Sequence, residues 1–252
     1  MHLINMMAVI RPLLRQKQPF RSRGSIAALA LLVLSTLACV AAGAHGIAGK
    51  DAAFVAQNSG AQIFPFLYLG AKHMVTGYDH LLFILGVIFF LYRLSHVALY
   101  VTLFSIGHSV TLLAGVLGGL HVNAYLVDAI IGLSVVYKAL DNLGAFQTLF
   151  GVQPNAKVAV LGFGLIHGFG LATKLQALNA SKEGLVANMV SFNVGVEIGQ
   201  LVALTVMLGL IVLWRRSEGF ARHAAFANGL IMAAGFVLVE YQLAGFFLER
   251  NA

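Results

Sequence analysis

The sequence has few charged residues and almost no cysteine. Only 10% of its 252 residues are Asp, Glu, Lys or Arg, whereas 60% are hydrophobic and the mean hydropathy is +0.88. Soluble domains carry about 25% charged and about 45–50% apolar residues, so this composition indicates a membrane protein. The net charge of +7 does not indicate a nucleic-acid partner, because five of the basic residues lie within residues 11–23.

The N-terminal segment has the pattern of a secretory signal peptide. A basic stretch precedes the apolar residues 26–40 and an Ala-x-Ala cleavage site that ends at Ala44. We therefore expect a signal peptide over residues 1–44 and a short extracytoplasmic segment over residues 45–62; an uncleaved first transmembrane helix is the alternative. Cleavage would remove Cys39, the only cysteine, so the mature protein would have neither a disulfide nor a thiolate metal site.

Several motifs of ATP-driven transporters and of enzymes are also missing. The chain has no Walker A pattern, so transport would have to use an ion gradient or the membrane potential rather than ATP. It has neither a His-Glu-x-x-His pattern nor a Gly-x-Ser-x-Gly elbow. We therefore predict that the protein is not an enzyme.

From residue 63 onwards, apolar segments recur at the length of about 20 residues that a transmembrane helix needs. The predicted spans are 63–92, 97–119, 124–143, 158–178, 187–213 and 224–247. Polar residues interrupt the first span around Gly77, so we expect either a helix broken at Gly77 or an interfacial or re-entrant helix over residues 63–77. The predicted fold is all-α and polytopic, with about six transmembrane helices in one domain over residues 63–252.

The positions of the basic residues favour one orientation in the bilayer. Arg215, Arg216 and Arg222 form the densest basic group after the signal segment, which predicts a cytoplasmic loop. We expect a multi-pass protein of the bacterial inner membrane, surrounded by lipid. A homo-oligomer is compatible with this pattern.

Ionisable side chains inside the predicted spans indicate a functional interior, because each costs a few kcal/mol in a bilayer. At about 1.5 Å per residue, His108, His167 and Glu197 each lie roughly 14–17 Å from the ends of their spans, at similar depth. The predicted metal ligands are His73, Asp79, His80, His108, His167 and Glu197, with Ser105, Asp128 and Asn193 as auxiliary groups and His45 as an outer capture site. A histidine taken singly can instead hydrogen-bond a neighbouring helix.

Imidazoles and carboxylates without thiolates suit Ni²⁺, Co²⁺, Zn²⁺ or Cu²⁺. The predicted function is a permease for such an ion. The outer group of His73, Asp79 and His80 would capture the ion, and the deeper group of His108, His167 and Glu197 would receive it. A membrane-embedded metal-dependent hydrolase is the alternative, since three ligands and an open position also describe a catalytic zinc site. A metal-binding accessory protein without transport is the third hypothesis.

Several stretches, in a consistent order over residues 64–200, resemble the HupE/UreJ family and most closely its second, more divergent branch. They are His73-x5-Asp79-His80, the segment from Phe104 to Leu112, Asp128, His167-Gly168-Phe169-Gly170 and the segment from Phe192 to Gln200. Asp128 stands where the family pattern has Glu, and only His167-Gly168 answers to a denser His-Gly motif of the hydrogenase-linked branch. The resemblance implies a membrane protein that handles nickel, or else cobalt.

Overall fold

The structure, a computed structural model, describes residues 50–177 and 183–250. The predicted signal peptide and His45 lie outside these ranges. All regular secondary structure within them is helical, which confirms the all-α prediction. The helices are α1 (Lys50–Gln57), α2 (Ile63–Thr76), α3 (Tyr78–Ile88), α4 (Leu94–Gly118), α5 (Ala124–Asn142), α6 (Ala145–Phe150), α7 (Ala156–Ala177), α8 (Leu185–Arg215) and α9 (Gly219–Arg250).

Four of these helices, α4, α7, α8 and α9, are long and apolar enough to cross a membrane. They show that the protein is a multi-pass membrane protein. Helix α5 has the predicted position and 19 residues, but it carries three charged residues. Helices α2 and α3 have only 14 and 11 residues, so neither alone reaches the length of a span. The structure thus supports four spans, and the six-span topology stays a prediction.

The interruption in the first predicted span is a break in the helix at Gly77. Its backbone has φ −74° and ψ 92°, an extended conformation between two helices, and its N–H donates to the carbonyl oxygen of His73 at 2.8 Å. A Cβ atom here would lie 2.9 Å from the same oxygen and 2.9 Å from Nδ1 of His80. Glycine is therefore required by the close approach of the two half-helices.

The helices pack mainly as three pairs, α4 with α7, α2 with α8, and α5 with α9. Glycines allow the backbones of each pair to touch. On α8, a Cβ atom at Gly195 would overlap the carbonyl oxygen of Leu67 on α2, and on α7 a Cβ atom at Gly164 would overlap that of Phe104 on α4. Small residues at such positions allow the backbones of membrane helices to approach closely. Gly162, two residues before Gly164, has no described atom within 4 Å of its Cβ position.

Helix α3 lies inside the bundle, with nine of its eleven residues buried. The carbonyl groups at a helix C-terminus lack partners within the helix. Arg215, at the end of α8, provides hydrogen-bond donors for the carbonyl groups at the end of α3. Its guanidinium donates to the carbonyl oxygens of Ile88 and Phe89 at 2.6 Å and of Leu91 at 2.8 Å. This contact fixes the depth of α3, whose first turn carries His80.

Candidate metal centre

Two histidines meet where the broken helix changes direction. His73 lies in the last turn of α2 and His80 in the first turn of α3, and their ring centroids are 5.0 Å apart. A continuous helix would place residues seven apart about 10 Å from each other along its axis. The break at Gly77 therefore creates the pair.

The α4–α7 pair contributes two further histidines. The ring centroid of His80 is 5.8 Å from that of His108 on α4 and 4.9 Å from that of His167 on α7. Side-chain exposure is 3% or less for these three residues, and His73 is half-buried. Four helices thus bring four imidazoles to one buried place, which we call the histidine cluster (His73, His80, His108 and His167).

The nitrogen atoms of the cluster are close enough to share an ion. Candidate ligand atoms of His73, His80 and His108 all lie within 4.8 Å of one another. A metal–nitrogen bond is about 2.0–2.1 Å long, so a small rotation of the rings would bring all three to one ion. His167 is not one of these three residues, but its ring centroid lies 4.9 Å from that of His80.

Asp79 contacts His80, the next residue in the chain. Its Oδ1 lies 2.9 Å from Nδ1 of His80 and also accepts the backbone N–H of His80 at 2.8 Å. A carboxylate at this distance favours the tautomer with hydrogen on Nδ1, which leaves the lone pair on Nε2. Nε2 is buried and has no hydrogen-bond partner among the described residues. Asp79 therefore orients a ligand atom through Oδ1, and its predicted role as a metal ligand stays a prediction.

Ser134 on α5 fixes the second ring in a similar way. Its hydroxyl donates to the carbonyl oxygen of Ile131 at 2.6 Å, so it accepts from Nε2 of His167, which lies 3.3 Å away. The lone pair of His167 is then on Nδ1. This atom is buried and has no partner within residues 50–177 and 183–250.

The remaining two histidines also present unused nitrogens. Both ring nitrogens of His108, and Nε2 of His73, are buried without a hydrogen-bond partner in the described part of the chain. Burying an unpaired polar group costs about 1–3 kcal/mol on mutational data, so a bound ion or water that pairs with these nitrogens would be stabilised there. Several imidazole lone pairs, with a carboxylate behind one of them, fit a first-row divalent metal ion.

The predicted auxiliary residues line the helices next to the cluster and bind other partners. The hydroxyl of Ser105 donates to Oε1 of Gln200 on α8 at 2.9 Å. Asp128 forms an ion pair with Lys174 at 2.7 Å. Asn193 is buried and donates to the carbonyl oxygen of Met189, while its Oδ1 has no partner among the described atoms. Asn193 therefore offers an unused buried oxygen next to the cluster.

Glu197, predicted as a metal ligand, is exposed on α8 and is not part of the histidine cluster. Neighbouring residues on an α-helix differ by about 100° in direction. Val196, 3% exposed, lies on the buried face of α8, so Glu197 points away from it. Similar depth in the bilayer predicted that His108, His167 and Glu197 would come together, but depth alone does not specify direction. The structure brings His108 and His167 against His80, which was predicted to belong to a separate outer group.

Three contributors to the site were not predicted. Lys174 lies seven residues after His167, which puts both on one face of α7, and this spacing is a usable signal. The sequence has no comparable spacing that would predict the contact of Ser134 with His167. The same is true of the contacts of the Phe104 ring with three imidazoles. Both depend on how separate helices pack.

Comparison with known proteins assigns the chain to a family. The sequence model of one family, described as HupE / UreJ protein, matches residues 49–250. No curated protein and no solved structure matches the chain. The match extends from α1 to the end of α9 and includes every residue of the histidine cluster. The chain therefore belongs to the HupE/UreJ family.

Proposed function

We propose that this protein is a membrane permease for a divalent transition-metal ion, nickel first and cobalt next, in the bacterial inner membrane. The observation that carries the proposal is the histidine cluster. Candidate ligand atoms of His73, His80 and His108 lie within 4.8 Å of one another, and all four histidines have buried ring nitrogens without a hydrogen-bond partner among the described residues. The family and the four membrane-type helices support it, because HupE/UreJ proteins are associated with nickel handling.

The donor set favours some ions over others. Neutral imidazole nitrogens bind Ni²⁺, Co²⁺, Cu²⁺ and Zn²⁺ well, whereas Mg²⁺ and Ca²⁺ prefer oxygen ligands. The charge of a divalent ion is balanced in part by Asp79, held against His80 at 2.9 Å. A site with mostly neutral ligands and one nearby carboxylate suits release as well as capture, because transport requires binding that is weak enough to reverse.

The exposure of the four histidines suggests the order in which they meet the ion. His73 is half-buried, whereas His80, His108 and His167 are almost completely buried. His73 therefore receives the ion first. His108 and His167 take it deeper, with Asp79 and Ser134 holding the rings of His80 and His167 in place.

The test is metal uptake into proteoliposomes that carry the purified full-length protein, with Ni²⁺, Co²⁺, Zn²⁺ and Cu²⁺ offered in turn. The variant His108→Ala removes two unpartnered ring nitrogens and is expected to abolish saturable flux. His121→Ala is the matched control, because His121 is exposed between α4 and α5. Flux in the wild type and in His121→Ala, but not in His108→Ala, would establish the permease and identify its ion.

Other results would support the other two hypotheses. Tight metal binding by the wild type with no flux of any ion would refute the permease. Retained zinc together with product formation from a hydrolysable substrate would then indicate the hydrolase. Stable co-purification with a second protein would indicate the accessory role.

A further inference from the structure

A layer of aromatic rings lies directly against the histidine cluster, on the side away from His73. We call Phe83, Phe104 and Phe163 the ring layer. The centroid of Phe83 is 5.3 Å from that of Phe104 and 5.7 Å from that of Phe163. Phe83 and Phe104 are 1% and 2% exposed. The rings of Phe83 and Phe104 therefore form a dry contact between α3 and α4, and the partly buried Phe163 extends it to α7.

The ring layer also contacts the imidazoles. The ring of Phe104 lies 6.1 Å from His80, 6.2 Å from His108 and 4.9 Å from His167, between centroids. Phe83 lies 5.5 Å from His167. The ring layer thus packs against one side of the histidine cluster.

The spacing along each helix shows that this is a separate level of the bundle. Each ring lies three or four residues from a histidine on its own helix, and α3 runs in the opposite direction to α4 and α7. The pairs are His80 with Phe83, His108 with Phe104, and His167 with Phe163. Three to four residues correspond to about 4.5–6 Å along a helix axis. On α5, Ser134 contacts His167 and Tyr137, three residues on, contacts Phe163 at 5.2 Å.

Polar groups resume on the far side of the ring layer. One turn beyond Phe83, the carbonyl oxygen of Gly86 accepts from Asn142 at 2.8 Å, and Lys138 packs over the same glycine. Lys138 forms an ion pair with Asp141, which also accepts from Gln153 at 2.5 Å. Both charged side chains are about nine-tenths buried. Buried polar groups in a membrane protein mark pathways more often than structural supports.

We propose that the ring layer is the gate of the permease, closing the path between the histidine cluster and the polar group of Lys138, Asp141 and Asn142. A constriction lined by apolar rings excludes water, and an ion that still holds part of its water shell cannot cross it. Phe83 is its moving part, because it touches both other rings on a short helix that follows the break at Gly77. This inference rests on the proposed function.

The orientation of the bundle places the gate on the cytoplasmic side of the site. Arg215 binds the C-terminal end of α3, beyond Phe83 and Gly86. The charge pattern of the loop that begins there predicts the cytoplasm. The half-buried His73 then lies on the outer side of the histidine cluster and the ring layer on its inner side, as expected for a protein that captures an ion before passing it on.

The experiment compares the wild type with Phe83→Ala and with Phe89→Ala. Phe89 is the matched control, since it is 2% exposed and packs against Trp214 and Phe220 instead of the histidines. Three quantities are measured on the full chain: Ni²⁺ or Co²⁺ bound by the purified protein, metal entry into liposomes with a trapped fluorescent chelator, and proton leak in metal-free liposomes. We expect Phe83→Ala to bind metal like the wild type and to pass both metal and protons severalfold faster, with Phe89→Ala unchanged.

Each remaining result decides the question. Equal metal and proton rates in all three proteins, or an equal rise in both variants, would overturn the gate. A wild type that neither binds nor transports metal would refute the proposed function. The proton leak rates of Phe83→Ala and Phe89→Ala, compared with each other, would still test whether the ring layer is a barrier. If Phe83→Ala does not purify as a single species, Phe163→Ala replaces it under the same criteria, because Phe163 is only partly buried and its ring pairs within the described part of the chain are with Phe83 and Tyr137.

Discussion

Asp79 is expected to control metal affinity without touching the ion. Its Oδ1 holds Nδ1 of His80 at 2.9 Å and thereby directs the lone pair of Nε2 towards the cluster. In Asp79→Asn, the amide oxygen still accepts a hydrogen bond, but the negative charge is lost. In Asp79→Ala, the ring of His80 is free to rotate and to exchange its tautomer.

Loss of the group that orients a metal-binding histidine lowers metal affinity about 10–100-fold, which corresponds to about 1.4–2.7 kcal/mol. We expect Asp79→Asn near the lower end of this range and Asp79→Ala near the upper end. A direct ligand would behave differently, since its removal deprives the ion of a bond. A loss well beyond this range in Asp79→Asn would therefore place the carboxylate on the ion, as the sequence predicted.

Equilibrium dialysis of Ni²⁺ and Co²⁺ against the detergent-purified protein measures the affinity. Asp51→Asn is the matched control, because Asp51 makes an ion pair with Lys72 at 2.6 Å on the exposed side of α2. This variant should bind metal like the wild type. If Asp79→Ala binds within a factor of about two of the wild type, well below the tenfold minimum for loss of an orienting group, the orienting role is refuted.

Three further predictions follow from the same contacts. Gly77→Ala should lower the free energy of unfolding by about 1–3 kcal/mol and weaken metal binding, because the new Cβ lies 2.9 Å from Nδ1 of His80. Gly162→Ala is the control and should be neutral or stabilising, because the space around Gly162 is open. Equal melting temperatures of the two variants would contradict this prediction. Metal uptake should fall as the pH drops below about 6, because imidazolium cannot bind metal, and a rate that stays flat between about pH 7.5 and 5.5 would argue against histidine ligation. Arg215→Gln should lower the free energy of unfolding by several kcal/mol, because it leaves three carbonyl groups unpaired. Arg216 is the exposed neighbour, and Arg216→Gln should change the free energy of unfolding by less than about 0.5 kcal/mol.

Local pattern was a good guide to the helices and to their interruption. The apolar segments correspond to α4, α5, α7, α8 and α9 within a few residues, and the polar residues around Gly77 predicted the break between α2 and α3. Hydropathy and helix length are properties of neighbouring residues, so the sequence carries them directly. The same reasoning does not decide how many of these helices cross the bilayer.

The site was predictable in its residue types and less so in their roles. Histidines inside apolar segments are rare enough to identify His73, His80, His108 and His167 without a structure. The roles of Asp79 and Glu197 were not predictable in this way. A carboxylate next to a histidine in sequence is equally able to bind an ion or to orient the ring, and a rotation of about 100° separates a buried position from an exposed one.

The sequence by itself thus determined that the protein is an all-helical membrane protein with an unusual set of buried histidines, because composition, hydropathy and helical period require no knowledge of distant contacts. Only the tertiary structure decided that four helices bring these histidines together, that Asp79 and Ser134 turn two of the rings, and that a layer of phenylalanines lies beneath them. The physical reason is the packing of helix pairs at glycines, such as Gly164 against Phe104. That packing sets the register between residues dozens of positions apart, and with it the direction in which each side chain points.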